Sequence, residues 1–407
     1  MTDFAEIPDW RSDDALSAVP ASAGIFLVEF AAGPPYLGRT AALRKRLRRL
    51  LRPDASASTR LNLRKIATQV YYRCTGSAFE SDIALYRAAK RYRPADCRDY
   101  LKLRPVFFVK LLRGNRFPRS CVTRKLSGGQ SLFYGPFPSR NAADKFHDEL
   151  LDLFLARRCT ENLAPSPSHP GCVWGEVGRC LRPCQAACDE AAYAREIQRM
   201  ALFLETDGKS LLRETGQLRD SASNSLDFEA AAKFHSLQDR AKQALRSRSA
   251  LSGELGSAHG IMLQRSAMPG YLQMTALYKG SWQAAIQIRH DAAAATPAAL
   301  GAQLRAALSG FEWREANAEE RQDHLSLLQR WHASSFRKGE FVPFADISAP
   351  PWRKLANAAL RIALGSDPSP KNAAPKLLPH SGPWRLQALA AADATDAGSR
   401  SRRPGGT

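Results

Sequence analysis

Four cysteines in one short segment constrain the fold of this chain more than any other feature. Cys159, Cys172, Cys180 and Cys184 are separated by twelve, seven and three residues, with glycine, proline and arginine between them. The segment has neither a helical nor an alternating hydrophobic pattern, so secondary structure alone is not expected to hold it. Four thiolates can complete a tetrahedral zinc site or hold an iron–sulfur cluster, and the residues alone do not decide between them. Unligated buried cysteines are the remaining alternative.

The other cysteines and the start of the chain indicate the cellular compartment in which the protein is expected. Cys188 follows the segment closely and is a spare ligand, whereas Cys74, Cys97 and Cys121 are scattered, as core cysteines commonly are. Residues 1–14 are acidic and lack an apolar core, and no run of about 20 apolar residues could span a bilayer. We therefore expect a cytoplasmic protein without a membrane partner, in which cysteines stay reduced unless they bind metal or react.

The chain is strongly basic. Its 407 residues include 59 Lys and Arg against 39 Asp and Glu, a formal net charge of +20. Such an excess favours a polyanionic partner, above all nucleic acid, because neutralising phosphates releases condensed counterions. A solvated basic surface without a specific partner is the alternative interpretation.

The first hundred residues predict a small three-stranded α/β unit. Residues 24–30 have the pattern of a buried strand, and a Gly-Pro-Pro turn leads to a short partner strand at 36–38. Residues 41–52 predict a helix with one apolar stripe, and a strand at 69–73 and a helix at 79–91 follow. The other faces of the first helix carry the cations that we expect to contact phosphates: Arg44, Lys45, Arg46, Arg48, Arg49 and Arg52.

Beyond this unit the patterns alternate between strand and helix again. The predicted elements are strands at 106–113 and 119–125, a helix at 140–157, helices between 189 and 248, strands within 259–290, and helices at 297–308, 317–334 and 353–364. We therefore predict an α/β (α+β) multidomain fold.

The beginning of the chain resembles a known nuclease signature. Gly24–Phe26, about ten residues, Tyr36–Arg39 and then Arg46 are similar to the GIY-YIG motif as it occurs in UvrC, the nuclease subunit of bacterial nucleotide excision repair. The resemblance implies that Tyr36 activates the attacking water, as general base or proton relay, and that Arg46 holds the scissile phosphate. A glutamate on a later helix binds Mg²⁺ in that family.

Two positions within the motif depart from the family. Phe26 stands where the first triplet ends in tyrosine, and it has no hydroxyl group to form a hydrogen bond. Arg39 stands where lysine usually follows the second triplet, which keeps the charge but changes its geometry.

The residue at the expected position of the metal ligand departs further from the family pattern. When residues 90–94 are aligned with the basic Arg-Pro stretch of the family, Leu85 occupies the place of the metal-binding glutamate and Cys97 that of an asparagine. Glu80 and Asp82 are the nearest carboxylates, and Asp82 lies on the same helix face as position 85. Because Mg²⁺ demands oxygen ligands, Leu85 in particular predicts impaired catalysis.

Two later segments extend the resemblance. The segment from Phe133 through the four cysteines is similar to the UvrC cysteine region, which implies that Cys159, Cys172, Cys180 and Cys184 hold a 4Fe-4S cluster, with zinc as the alternative. Residues 206–245 resemble the UVR helical hairpin through which UvrC binds UvrB. The apolar residues expected to contact the partner are Leu226, Phe228, Phe234 and Leu237. The alternative is a hairpin buried on its own domain.

The resemblance covers roughly residues 20–250. Together with the pattern and composition of the rest of the chain, it suggests five regions. These are a GIY-YIG nuclease-like domain at 15–100, a strand–helix and cysteine-rich region at 101–190, a helical UVR region at 191–250, an α+β region of unknown role at 251–365, and a disordered tail at 366–407. Residues 259–290 are compatible with the degenerate start of the second, RNase H-like nuclease of UvrC. The remainder has no convincing acidic triad, so we expect one nuclease centre, as in shorter Cho-type relatives.

Two functions remain open from the sequence. The first is a Mg²⁺-dependent endonuclease that incises damaged double-stranded DNA 3′ of the lesion and is recruited by a UvrB-like protein. The second is a catalytically impaired DNA-binding adaptor with the same partner. A carboxylate that reaches the cleft between Tyr36 and Arg46 would favour the first.

Overall fold

The computed structural model describes residues 4–53, 61–127 and 129–365. Within these ranges the protein is a mixture of helices and antiparallel sheets, as the sequence predicts. The tail predicted at 366–407 lies outside the described residues. Among the described helices, none combines the length and the apolar character needed to cross a membrane.

The N-terminal elements form an antiparallel sheet with helices on both faces. In chain order they are β1 (Ala5–Glu6), α1 (Asp13–Ala18), β2 (Gly24–Phe30), β3 (Tyr36–Thr40), α2 (Leu43–Leu50), β4 (Ala67–Cys74), α3 (Ala78–Tyr92) and α4 (Cys97–Tyr100). The strand order is β1–β4–β2–β3. Successive side chains of a strand point to opposite faces, so Phe26 and Val28 pack with α2 whereas Ile25 and Leu27 pack with α3.

The middle of the chain forms a second antiparallel sheet covered by helices. Its elements are β5 (Phe107–Leu112), β6 (Arg119–Thr123), β7 (Ser131–Phe137), α5 (Arg140–Leu151), α6 (Val173–Glu176), α7 (Glu190–Glu205), α8 (Lys209–Asn224), α9 (Phe228–Ser247) and β8 (Gly253–Glu254). The strand order is β6–β5–β7–β8. One apolar core joins this sheet to α5 and to the three long helices that follow the cysteine segment.

A third antiparallel sheet occupies the C-terminal part of the described chain. Its elements are β9 (His259–Arg265), β10 (Tyr271–Tyr278), β11 (Ser281–Arg289), α10 (Pro297–Leu308), α11 (Ala318–His332), β12 (Glu340–Phe344) and α12 (Trp352–Ala363). The strand order is β11–β10–β9–β12. Helices α10 and α12 cover one face of this sheet, and α3 and α11 pack against the other.

Helix α3 is therefore enclosed between the first sheet and the third. From Phe79 to Ala89 every residue except Arg87 is buried, whereas a surface helix would bury only one stripe. The Phe79 ring lies 4.9 Å from that of Trp282 on β11 and 6.3 Å from that of Trp331 on α11. The N-terminal and C-terminal parts of the described chain share one apolar core as a result.

A buried polar contact reinforces this packing. The Tyr86 hydroxyl donates to Oδ2 of Asp323 on α11 at 3.1 Å, and Nε of Arg98 donates to Oδ1 of the same residue at 2.6 Å. Asp323 is 3% exposed, so these two donors satisfy a carboxylate that would be costly to bury without partners.

The sequence patterns missed or overextended several elements for identifiable reasons. Strand β7 contains Gly135 and Pro136, and β12 contains Pro343, residues that normally argue against strands. The helix predicted to reach residue 157 ends at Leu151. Beyond it the backbone N–H groups of Leu155 and Arg157 donate to the side chains of Glu196 and Tyr193 on α7. They therefore do not form the hydrogen bonds that would continue the helix.

The shared core makes a prediction about stability. Trp331→Ala should lower the free energy of unfolding by about 3–5 kcal/mol, because it removes a large side chain from between α3 and the third sheet. Phe336→Ala is the control, since that side chain is 68% exposed and its loss should cost less than about 0.5 kcal/mol. Denaturant unfolding followed by circular dichroism measures both. Equal stability of the two variants would mean that α3 and α11 do not share a core.

Candidate functional site

The predicted base and phosphate clamp lie together. Tyr36 opens β3, and Arg46 projects from α2, which begins three residues after the end of that strand. In the turn between them the Thr40 hydroxyl accepts from Ala42 N at 3.2 Å, which fixes how the helix leaves the strand. Nη2 of Arg46 donates to the Tyr36 hydroxyl at 3.4 Å. A phenol beside a guanidinium can bind a phosphate oxygen by hydrogen bonding and charge together.

Phe26 is a packing residue. It is 1% exposed, and its ring centroid lies 6.1 Å from that of Tyr36. On the neighbouring strand, a Cβ added to Gly38 would come within 2.4 Å of the Phe26 ring. The glycine of the second triplet therefore makes room for the phenylalanine that replaces the tyrosine of the first.

Arg39 leaves the same strand and forms an ion pair with Asp82 of α3. Nη1 of Arg39 lies 3.2 Å from Oδ1 of Asp82, and Nη1 of Arg330 on α11 lies 4.0 Å from the same oxygen. Burial raises the pKa of Asp82, and the two guanidinium groups act in the opposite direction. Asp82, the carboxylate nearest in sequence to the expected metal ligand, is thus paired with two cations.

Leu85 lies in an apolar environment. It is 8% exposed and belongs to the core that α3 shares with Leu328 and Trp331 of α11. Glu80 is also committed, because its carboxylate accepts from Gly76 N at 2.7 Å and lies 3.7 Å from Arg73. These residues do not fit a Mg²⁺ site, which needs several oxygen ligands around an accessible cation.

Tyr100 is a neighbour of the site that the sequence interpretation missed. Its hydroxyl accepts from Leu37 N at 2.9 Å and donates to Leu37 O at 2.6 Å, which ties α4 to the edge strand β3. The pKa of Tyr100 is raised to about 12, chiefly by burial and also by Tyr36, against the hydrogen bond with the Leu37 backbone. A tyrosine shortly after the aligned basic stretch was the available signal, but α4 is too short to give a helical pattern.

The basic helix α2 has both anchored and exposed cations. Nε of Arg44 donates to Val19 O at 2.7 Å and Nη2 of Arg48 donates to Ser17 Oγ at 2.7 Å, which attaches α2 to α1 and the residue after it. Arg46 and Arg52 are half-buried. Exposed side chains of this helix that could meet a phosphate backbone are Lys45, Arg48 and Arg49.

The four cysteines of the central segment lie in one region of the molecule. Cys180 and Cys184 are buried, Cys159 is half-buried and Cys172 is exposed. The pKa of the Cys180 thiol is raised to about 11, chiefly by burial and also by Cys172, Cys159 and Cys184, against the hydrogen bond from the Arg182 backbone N–H. Such mutual effects require the thiols to be near one another.

The geometry of these thiols is not that of a closed metal site. Within the described ranges, no three His, Cys, Asp or Glu side chains are grouped so that they could hold a metal ion. Nη1 of Arg157 lies 3.6 Å from Sγ of Cys159, so cationic groups accompany the thiols. Four thiols are a donor set that suits a thiolate-bound metal or cluster by its chemistry.

Helices α8 and α9 form a hairpin whose turn exposes apolar side chains. Leu226 is 72% exposed and Phe228 is 66% exposed, and Asp227 between them caps α9 by accepting from Ala230 N at 3.0 Å. Phe234 is half-buried, and Leu237 packs against the middle core. The exposed part of the predicted partner surface is therefore the tip of the hairpin.

Comparison with known proteins shows a match between part of this chain and one protein family. Residues 106–203 match the family described as UvrC/Cho excinuclease, middle domain. That range contains the sheet strands β5 to β7, the four cysteines and most of α7. No solved structure matches the chain.

The similar curated proteins are UvrABC system protein C of several bacteria. The protein from Moorella thermoacetica is 26% identical over 245 residues, 60% of this chain and 40% of that protein. The one from Carboxydothermus hydrogenoformans is 28% identical over 225 residues, 53% of this chain and 36% of the relative. The one from Alkalilimnicola ehrlichii is 32% identical over 140 residues, 34% of this chain and 23% of the relative.

These matches span at most about two fifths of the length of the first relatives, so they describe a part of those proteins. The resemblance read from the sequence is nevertheless confirmed. Residues 106–203 match the UvrC/Cho middle domain, and the chain is similar to UvrC proteins over a little more than half of its own length.

Proposed function

We propose that this chain acts in nucleotide excision repair as an adaptor of the UvrC type, which binds damaged double-stranded DNA but hydrolyses it poorly or not at all. The UvrC relationship, the net charge of +20 and the exposed cations of α2 support binding to DNA. Of the two functions left open by the sequence, the geometry favours this one.

The observation that carries the proposal is the state of the expected metal position. Leu85 is packed in an apolar core, and Asp82 is held by Arg39 and Arg330. An apolar side chain cannot coordinate Mg²⁺, and a carboxylate paired with two guanidinium groups is a poor ligand for a further cation. Phosphodiester hydrolysis by this type of site depends on a bound metal to stabilise charge, so turnover should be weak.

Phosphate binding does not need that metal. Arg46 and the Tyr36 hydroxyl can both donate to a phosphoryl oxygen, and Arg39 is 42% exposed at the edge of the same sheet. Exposed Arg48 and Arg49 extend the basic surface along α2. These groups would hold the DNA backbone independently of sequence.

The second candidate is the Mg²⁺-dependent endonuclease with 3′ incision. The contact between Tyr36 and Arg46 favours it, because the predicted base and clamp have kept their mutual position. This function would require Asp82 to exchange its two arginine partners for a metal ion.

We also propose that Cys159, Cys172, Cys180 and Cys184 hold a 4Fe-4S cluster, with zinc as the alternative. Their proximity and the irregular backbone around them support this, since α6 is the longest helix between Cys159 and Cys184 in the described structure. When bound, such a group would link four points of a segment that has little other regular structure.

The partner we propose is a UvrB-like protein, bound by the tip of the α8–α9 hairpin. Leu226 and Phe228 are large, exposed apolar side chains on either side of Asp227, the residue that caps α9. Apolar anchors on a helix end fit a hydrophobic groove on a partner.

The central proposal predicts binding of DNA without incision. With UvrA, UvrB and a lesion-bearing duplex, the protein should join the DNA complex, yet Mg²⁺-dependent nicking should stay near background. Leu85→Glu should lower the free energy of unfolding by about 2–5 kcal/mol, because it buries a carboxylate in an apolar core, and it should not restore activity. Vigorous nicking by the unchanged protein that Asp82→Asn abolishes would instead establish the endonuclease.

The cluster proposal has its own test. Protein purified without oxygen should be brown and contain iron and acid-labile sulfide in about equal amounts. Cys180→Ser should lose the colour and lower thermal stability, because a buried ligand is removed. Cys121→Ser, a half-buried cysteine of β6 outside the segment, is the control and should keep both. A folded protein without iron would refute the cluster, and stoichiometric zinc would replace it.

A further inference from the structure

The segment that contains strands β5 to β7 is the longest part of the chain without an acidic residue. Residues 100–143 include nine Lys and Arg and no Asp or Glu, whereas 39 acidic residues in 407 would place about four in 44 positions. Soluble surfaces usually mix both signs of charge, and a field of one sign attracts a partner of the opposite sign. The segment therefore gives the middle sheet a positive surplus that is separate in the sequence from α2.

Two cations of this segment have a structural role. Arg113 and Arg116 lie in the turn between β5 and β6, and they form ion pairs with Glu205 and Glu190, respectively, of α7. These pairs attach the turn to the helix and account for both charges.

Three cations at the outer edge of the sheet have no such partner. Arg119 begins β6, the outer strand, and Arg124 and Lys125 follow directly after its end. Among the residues that the structure describes, none forms a hydrogen bond or an ion pair with these three side chains. Arg119 is half-buried and the other two are exposed. The three positions span at most about 20 Å of extended chain, the axial length of about six phosphates of one DNA strand.

The turn after β6 is held in place by three contacts. The backbone N–H of Lys125 donates to Thr123 Oγ1 at 3.0 Å, and the Leu126 side chain is buried. Nζ of Lys110 on β5 donates to Ser127 O at 2.5 Å. Because these contacts already restrict the backbone, less freedom is lost when a ligand binds to the unpaired cations of the turn.

A strand of another protein is the other partner that an outer strand can accept, because its outward backbone groups are open to pairing. Such a partner would use the backbone of β6 and would gain little from Arg124 and Lys125, which lie beyond the strand. A row of phosphates uses these side chains directly, since each cation that neutralises a phosphate releases a counterion. The distribution of charge therefore favours DNA.

We propose that Arg119, Arg124 and Lys125 form a second contact for the phosphate backbone of DNA, at the outer edge of the middle sheet. This inference rests on the DNA-binding function proposed above and deepens it, because it places a contact within residues 106–203, the range that matches the UvrC/Cho middle domain. The contact is independent of base sequence, since it involves the DNA backbone alone.

The test is a salt titration of the full chain with a labelled DNA duplex, measured by fluorescence anisotropy without Mg²⁺ between about 50 and 200 mM NaCl. R124Q/K125Q should weaken binding and reduce the slope of log affinity against log salt by about two, and R119Q should reduce it by about one. The matched control is R353Q/K354Q, an adjacent Arg–Lys pair exposed on α12. It removes the same charge as R124Q/K125Q and should behave like the unchanged protein.

Amine labelling of the unchanged protein gives a readout that does not depend on a variant. Bound DNA should protect Lys125 from an amine-reactive reagent and leave Lys354 as reactive as in the free protein. Mass spectrometry of the labelled peptides measures both.

The outcomes separate this inference from the function on which it rests. If R124Q/K125Q binds DNA like R353Q/K354Q while R48Q/R49Q weakens binding, the second contact is refuted and the DNA-binding proposal stands. Equal labelling of Lys125 with and without DNA would also refute the contact. If the unchanged protein does not bind DNA, the proposed function fails together with the inference.

Discussion

The enclosure of α3 between two sheets is the constraint on which the rest of the structure depends. Phe79 reaches both Trp282 and Trp331, and the apolar core around them joins strands from the beginning of the chain to strands from the end. Aromatic side chains of this size dominate core energetics, so separating the two parts would expose much of the apolar surface of both. The third sheet is therefore part of the same folded body as the first.

This enclosure explains the chemistry of the candidate site. In a helix exposed to a cleft, a position such as Leu85 could carry a metal-binding carboxylate into solvent. Here the same position packs against α11, and an ionised carboxylate would be buried without a partner. The same helix α11 brings Arg330 to Asp82. The packing of α11 against α3 thus leaves no room for a metal at position 85. It also brings a guanidinium group next to Asp82, the remaining carboxylate.

The sequence was informative where the signal was local. The strand before Phe30, the basic helix around Arg46 and the α3 helix follow from periodicity, and the pairing of Tyr36 with Arg46 follows from motif spacing. The UvrC resemblance, built on motifs and cysteine spacing, is confirmed by the match over residues 106–203.

What the sequence could not provide depends on contacts between distant positions. Tyr86 and Asp323 are 237 residues apart, and no periodic pattern relates them. Arg330 is one arginine on the polar side of a predicted helix, with nothing local to mark it. Asp82 could be named as the nearest carboxylate, but its two arginine partners emerge only when α11 is placed beside α3.

Hydrogen exchange of α3 tests the central claim most directly. If the helix is enclosed on both sides, the amides from Phe79 to Ala89 should exchange as slowly as those of the central strands β9 and β10, through global unfolding. The outer half of α9, with Glu229 and Lys233 exposed, is an internal reference for a helix open to solvent. Exchange of α3 as fast as this reference, in a chain whose central strands stay protected, would contradict the account.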